Sequence, residues 1–282
     1  MHDLTITIGG DLPVRRLGFG AMQLTGPQIW APPADRPGAV AVARRAVELG
    51  VTFIDTADSY ALGANEELLA EALHPYPENL LIATKAGQSR PSASEWVPLG
   101  RPEYLRQQAE LSLRRLRVER IDLYQLHRID PKVPAADQFG ALKGLQDEGK
   151  VRHIGLSEVS VAEIEAAREV VDIVSVQNLY NLESRQHEDV LDYCEREGIA
   201  FIPWIPIASG KLTRPGGPVA RVAEEAGATA AQVSIAWLLQ RSPAMLPIPG
   251  TSSIAHLEEN LASADLELTD DQFQFLSKIA AP

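Results

Sequence analysis

The chain is predicted to be an α/β protein folded as a (β/α)8 barrel of the TIM type, with a short N-terminal β-hairpin closing the bottom. Three observations predict this. Eight short apolar runs rich in β-branched residues recur along the chain, and each is followed by a segment whose apolar residues fall three or four apart, the helical period. The length of 282 residues suits one barrel, since such barrels commonly reach about 250 residues. No long Pro/Ser linker separates two halves, so residues 1–282 are read as one domain.

Taken in order, LTITIGGDLPVRRL reads as a hairpin turning at Gly9-Gly10. The strands are expected at 17–22, 51–55, 80–85, 121–127, 153–157, 173–178, 200–204 and 245–249. The helices between and after them are expected at 39–49, 65–73, 102–116, 136–147, 161–170, 186–196, 230–240 and 254–261. Glycines punctuate the register where helices should stop before strands: Gly50, Gly149 and Gly198. An open doubly wound sheet is the alternative. Its Gly-rich fingerprint nearly occurs at Gly18-Phe-Gly20-Ala-Met-Gln23, but glutamine stands in the third glycine position. A phosphate-loop pattern fails as well, because Leu212 follows Gly210-Lys211 and Ile205 stands where a glycine is needed.

Composition removes several function classes. With 45% hydrophobic and 23% charged residues, spread rather than blocked, the chain has the balance of a folded protein and not of a disordered one. A net charge of −12 without a basic cluster argues against nucleic acid as a partner. The lone Cys194 forbids an internal disulfide, and no Cys/His group has metal-binding spacing, so no metal is expected. Neither a leader-like N-terminus nor an uninterrupted apolar run long enough to span a bilayer is visible, which gives the expectation of a cytoplasmic protein with no membrane partner.

The stretch VTFIDTADSY, residues 51–60, begins as a core strand and ends in two carboxylates and a phenol. In a barrel, strand ends and the loops after them form the active site. Asp55 ends the second expected strand, Tyr60 follows in its loop, Lys85 ends the third strand in ATK, and His127 ends the fourth in LYQLH. Together they have a coherent chemistry: Lys85 can stabilise a phenolate, Asp55 can pair with the lysine, and His127 can orient a substrate oxygen. A tyrosine with its ordinary pKa of about 10 needs such an ammonium to act near neutrality. The group is suited to protonating a carbonyl oxygen.

In the order LGFGAM, FIDTADSY with NEELLAEAL, ATK, IDLYQLH, GKVRHIGLSE, VQNLYN, PWIPIASG and IPGTSSIAHLEENL, the sequence resembles the aldo-keto reductase superfamily over essentially its whole length. The resemblance implies a catalytic tetrad of Asp55, Tyr60, Lys85 and His127, with Tyr60 the proton donor and hydride supplied by a reduced nicotinamide. It also implies a cofactor site. Gly20 and Met22 fall at its first strand end; Trp204, before Ile205, Pro206 and Ile207, matches the ring that stacks on the nicotinamide; Ser157 and Gln177 match its carboxamide partners. Ser209, Gly210 and Lys211 continue that stretch. Glu259 and Asn260 match the readers of adenine, while Gly250, Thr251, Ser252, Ser253 and His256 cover the stretch expected to meet a 2′-phosphate.

Departures from the family pattern occur at three of these places. Glu158 stands where many members carry asparagine. Gly250 replaces a lysine and His256 an arginine, so two strong cationic phosphate contacts are missing. Hydroxyls and the N–H groups that begin the last helix can substitute. NADPH is therefore the expected cofactor, with NADH the alternative. Trp30, Trp96 and Arg128, in loops after the first, third and fourth strands, suit a small-molecule carbonyl substrate of aromatic or polar character. The combination GAMQLTGP…PPADR, GLSE and IPGTSS is similar to the pyridoxal reductase-like branch. The rival reading is a barrel that holds NADPH and senses redox state for a partner with little turnover.

Overall fold

The computed structural model describes residues 4–207 and 215–279. Strands β1 (Thr5–Ile8) and β2 (Leu12–Arg15) pair antiparallel, with Ile8 opposite Leu12. Their turn uses Gly9 and Gly10 at φ +61° and +80°, a region that glycine enters freely. A side chain at Gly9 would also strike the His153 ring, whose Cε1 lies 2.4 Å from where its Cβ would stand. Ile8 and Val14 point inward and pack with Phe53, Leu81, Leu123, Ile202 and Leu246. The expected hairpin thus plugs the N-terminal end of the barrel, and Asp11 at its tip pairs with Arg152 and His153 outside.

The wall is a seven-stranded parallel sheet. It runs from β3 (Phe19–Gly20) to β4 (Phe53–Asp55) and β5 (Leu81–Ala86). After β5 the chain makes a small antiparallel hairpin of β6 (Gln88–Ser89) and β7 (Val97–Pro98). The wall resumes with β8 (Ile121–Leu126), β9 (Val151–Ser157), β10 (Ile173–Gln177) and β11 (Ala200–Phe201). The eighth expected strand, 245–249, is not a regular strand, and the reason is its sequence, MLPIPG. On one side Leu246 donates to Phe201 O and Phe201 to Ala244 O, both at 2.8 Å. On the other side Pro247 and Pro249 have no N–H to give β3 and only accept, from Gly18 at 2.9 Å and Gly20 at 3.5 Å. The barrel closes through this half-ladder.

Helices α1 (Arg36–Glu48), α2 (Ala64–Leu73), α3 (Pro102–Leu116), α4 (Ala135–Asp147), α5 (Val161–Arg168) and α6 (Glu188–Glu197) follow the expected repeat. Helix α7 (Pro218–Ala226) was not expected; α8 (Ala230–Arg241) and α9 (Ile254–Leu261) were. Helix α10 (Asp270–Ile279) is a second addition outside the one-helix-per-strand pattern. It docks on the largest buried side chain: Trp237 stacks between Tyr180 and Phe273, at 6.0 and 6.2 Å, and donates its indole N–H to Ser277 Oγ. Among the described residues no helix is long and apolar enough to cross a membrane.

Candidate active site

Parallel strands all end at the same face, so the side chains at their C-terminal ends converge. Asp55 ends β4, Lys85 is the penultimate residue of β5, His127 directly follows β8, Ser157 ends β9 and Gln177 ends β10. The four residues read from the sequence as one chemical unit do meet. Lys85 Nζ lies 2.5 Å from Asp55 Oδ1, 2.8 Å from Thr56 O and 3.5 Å from Tyr60 Oη, and 5.0 Å from the centre of the Tyr60 ring. Both members of the ion pair are sealed from water, at 0% and 3% side-chain exposure. Asp55 Oδ2 accepts from Gln125 Nε2 at 3.1 Å and Gln177 Nε2 at 2.9 Å. Every strong interaction a buried carboxylate needs is therefore supplied.

Tyr60 sits in a tight turn whose next residues, Ala61 and Leu62, have φ of +49° and +53°. Left-handed backbone at two side-chain-bearing residues costs energy, and the turn keeps Tyr60 itself buried at the cavity edge. The Tyr60 and His127 rings meet edge to face at 6.0 Å, and His127 Nδ1 lies 3.4 Å from Ser59 Oγ.

The electrostatics differ from expectation at Tyr60. Lys85 was expected to pull the phenol toward neutrality. Burial is the larger effect and holds its pKa above the ordinary value; Lys85 pulls down, and Asp55 pushes up. The lysine's charge is already answered by Asp55 at 2.5 Å, which leaves less of it for the phenol at 3.5 Å. Tyr60 thus keeps its proton. For Lys85, burial opposes the charge, but the attractions of Asp55 and Tyr60 outweigh it and raise the pKa. Burial, followed by the positive charges of Lys85 and Arg128, holds His127 well below the usual histidine value, so its ring is neutral.

Asp55, Tyr60 and His127 border a cavity of about 570 Å³ with largely apolar walls, and Lys85 lies buried behind them. Of the residues expected to hold a cofactor, Gly20, Met22, Asp55, Ser157 and Gln177 line it from the strand ends. Trp204, Ile205, Pro206, Ile207 and Gly250 line it from the opposite rim. Ser209, Gly210 and Lys211 lie outside the described residues. Thr251, Ser252, Ser253, His256, Glu259 and Asn260 lie beyond the cavity on the approach to α9 and along it. There Ser253 caps the helix by accepting from His256 N, Thr251 Oγ1 accepts from Ser253 N, and Glu259 accepts from the Thr229 hydroxyl.

The substrate expectations divide. Trp96 and Arg128 line the cavity, with the Trp96 ring 6.5 Å from that of His127. Arg128 is braced by His127 O at 2.5 Å and Ser157 Oγ at 3.0 Å. Trp30 is not among the lining residues; its ring lies 5.5 Å from the Arg90 guanidinium, and Ile29 takes the cavity position.

Sequence reasoning missed Gln125, although a polar residue in the middle of LYQL was a readable signal. It also missed the use of Glu158. The Glu158 backbone has φ +56°, a conformation that asparagine, carried there by many members of the family it resembles, tolerates better than most residues. Here the glutamate side chain reaches across to accept from Leu179 N and Trp204 Nε1, both at 2.6 Å. It orients the indole.

A family model described as "Aldo/keto reductase family" matches residues 16–281. The chain belongs to the aldo/keto reductase family. An uncharacterized oxidoreductase of Schizosaccharomyces pombe is 51% identical over 95% of this chain and 88% of its own length. The pyridoxine 4-dehydrogenase of Escherichia coli is 40% identical, covering 99% of each chain. The crystal structure of an aldo-keto reductase from Klebsiella pneumoniae in complex with NADPH superposes with a TM-score of 0.84 at 26% identity, over 100% of this chain and 97% of that one. This aldo/keto reductase is an oxidoreductase with the family's barrel.

Proposed function

We propose that the chain, as a single barrel domain, reduces an aldehyde or ketone with NADPH, Tyr60 donating the proton. The observation that carries this reading is a phenol lining a largely apolar cavity, its pKa held above the ordinary value by burial, with a buried ammonium–carboxylate pair in contact with it and a neutral imidazole beside it. The cavity fits the cofactor. Gly20 and Gly250 bring two backbones together so closely that a Cβ on Gly20 would stand 2.7 Å from Ile248 O and one on Gly250 2.6 Å from Gly20 O. This leaves a smooth rim with hydroxyl, amide and indole groups along it. Ser157 and Gln177 would hold the carboxamide, Trp204 the nicotinamide face, and the Ser253-capped start of α9, with Ser252 and His256, the phosphate end.

When bound, the reduced nicotinamide supplies hydride to the carbonyl carbon. Tyr60 Oη donates its proton to the carbonyl oxygen as negative charge develops there, and Lys85 stabilises the phenolate left behind. Asp55 keeps Lys85 charged and in place; Gln125 and Gln177 fix the carboxylate. His127, being neutral, directs a ring N–H at the same oxygen and leaves the proton transfer to Tyr60.

The substrate favoured is an aromatic or polar aldehyde of the pyridoxal kind. Trp96 offers a flat apolar wall and Ile29 an aliphatic one, Arg128 offers a cationic contact, and the 40%-identical relative carries the name pyridoxine 4-dehydrogenase. The test is NADPH consumption with pyridoxal, benzaldehydes, methylglyoxal and simple sugars, repeated with NADH. Turnover with NADPH and a preference for aromatic aldehydes is expected. Tight NADPH binding without turnover of any carbonyl would instead establish a sensor.

A further inference from the structure

Arg90 is almost completely buried, at 7% exposure, yet among the described residues no carboxylate is paired with it. Its guanidinium is spent on backbone. Nε donates to Glu95 O at 3.1 Å and Nη2 to Ala93 O at 2.7 Å, both in the loop that joins β6 to β7. Nη1 donates to Ile29 O at 3.1 Å and Nη2 to Gln28 O at 3.0 Å, in a different loop, the one after β3. The plane of the same group lies over Trp96, with Cζ 3.6 Å from the ring centre, and Trp30 approaches from farther off at 5.5 Å. Gln28 and Ile29 are held at φ +59° and +56°, a backbone that β-branched isoleucine does not choose unaided. Their carbonyls are the ones Arg90 takes.

From this geometry we infer that Arg90 is a positioning residue for substrate selection: it staples the two loops into one rigid wall and presents Ile29 and Trp96 to the cavity. It does not itself line the cavity. The guanidinium suits this work because it is flat, always charged and carries five N–H groups in fixed directions; a lysine ammonium can neither stack in that way nor reach four carbonyls. Cation–π attraction to Trp96 and the four carbonyl bonds act together, so loss of the fork should release both loops at once.

The inference deepens the reductase reading and rests on it for its kinetic consequence, so its test has one part that needs no turnover. In Arg90→Ala and Arg90→Lys, amide hydrogen exchange at residues 26–30 and 91–97 should accelerate together, by about tenfold or more, while β8 and β9 keep wild-type protection. Unchanged β8 and β9 separate local release from general unfolding. With NADPH, KM for benzaldehydes should rise at least about tenfold in both variants, while kcat for a small aliphatic aldehyde, too short to lean on the wall, moves little. Loosening of 91–97 alone would overturn the inference, since Arg90 would then be a strut of its own hairpin. So would wild-type behaviour in Arg90→Lys, or an unmoved aromatic KM. A wild-type enzyme that reduces no carbonyl would sink the reductase reading, and the exchange measurement would still decide whether Arg90 couples the loops.

Discussion

Lys85 and Asp55 show how much a residue's neighbours decide. Lys85→Met would leave the Asp55 carboxylate buried with amide donors alone, and removal of one partner of a buried pair costs about 3–5 kcal/mol. The double variant Lys85→Met/Asp55→Leu should recover much of that loss in urea unfolding, because no uncompensated charge remains. Equal destabilisation in the single and double variants would mean that the pair is not the stabilising unit. His127 provides a pH signature. Its folded-state pKa is depressed, so below its ordinary value of about 6.5 the unfolded chain takes up a proton that the folded chain refuses. Its contribution is intact above that pH and is lost as pH falls, with a slope of up to about 1.4 kcal/mol per pH unit. His127→Gln should flatten the dependence of the urea midpoint between about pH 6.5 and pH 5; an unchanged slope would show that another group titrates there. At Glu158, Ala substitution frees the Trp204 indole, and about tenfold weaker NADPH binding is expected by fluorescence titration. Asp55, Tyr60, Lys85 and His127 were legible because polar residues at the ends of apolar strands are conspicuous. The Tyr60 pKa was not, because pairwise reasoning counted the pull of Lys85 on the phenol and left out burial, which is the larger effect.

At the scale of elements, strands and helices were readable wherever one local pattern sufficed. The hairpin was marked by Gly9-Gly10, and α3 and α9 appear with the expected bounds. The eighth strand was not readable as drawn, since MLPIPG has the apolar character of a strand but lacks the donors at Pro247 and Pro249 that a full ladder requires. Helix α10 had its own signal in Thr269 and Gln272, which exchange capping hydrogen bonds, but the barrel repeat had no place for it. What a hairpin plug contributes can be measured. Ile8 is 1% exposed at the end of the barrel opposite the cavity, and Ile8→Ala should cost about 2–5 kcal/mol in urea unfolding with NADPH-dependent kcat retained. A change in kcat without a change in stability would place the plug in communication with the mouth.

For the molecule as a whole, the barrel explains why residues as far apart in sequence as Asp55 and Gln177 share one carboxylate contact. Parallel strands deliver their ends to one face, and that convergence was visible from the order of the strands alone. What lay beyond sequence was the construction of the cavity's side walls, because loops hold each other through backbone carbonyls, as at Arg90, and no side-chain pattern records a carbonyl. The proposed carbonyl reduction turns on Tyr60 as the proton donor. Its most direct test is Tyr60→Phe, with NADPH affinity measured by fluorescence and the rate of NADPH oxidation measured in single turnover with an aldehyde the wild type reduces. Unimpaired NADPH affinity with a rate lower by about 10²- to 10⁴-fold is the expected result. A variant that binds NADPH and reduces the aldehyde at the wild-type rate would contradict it.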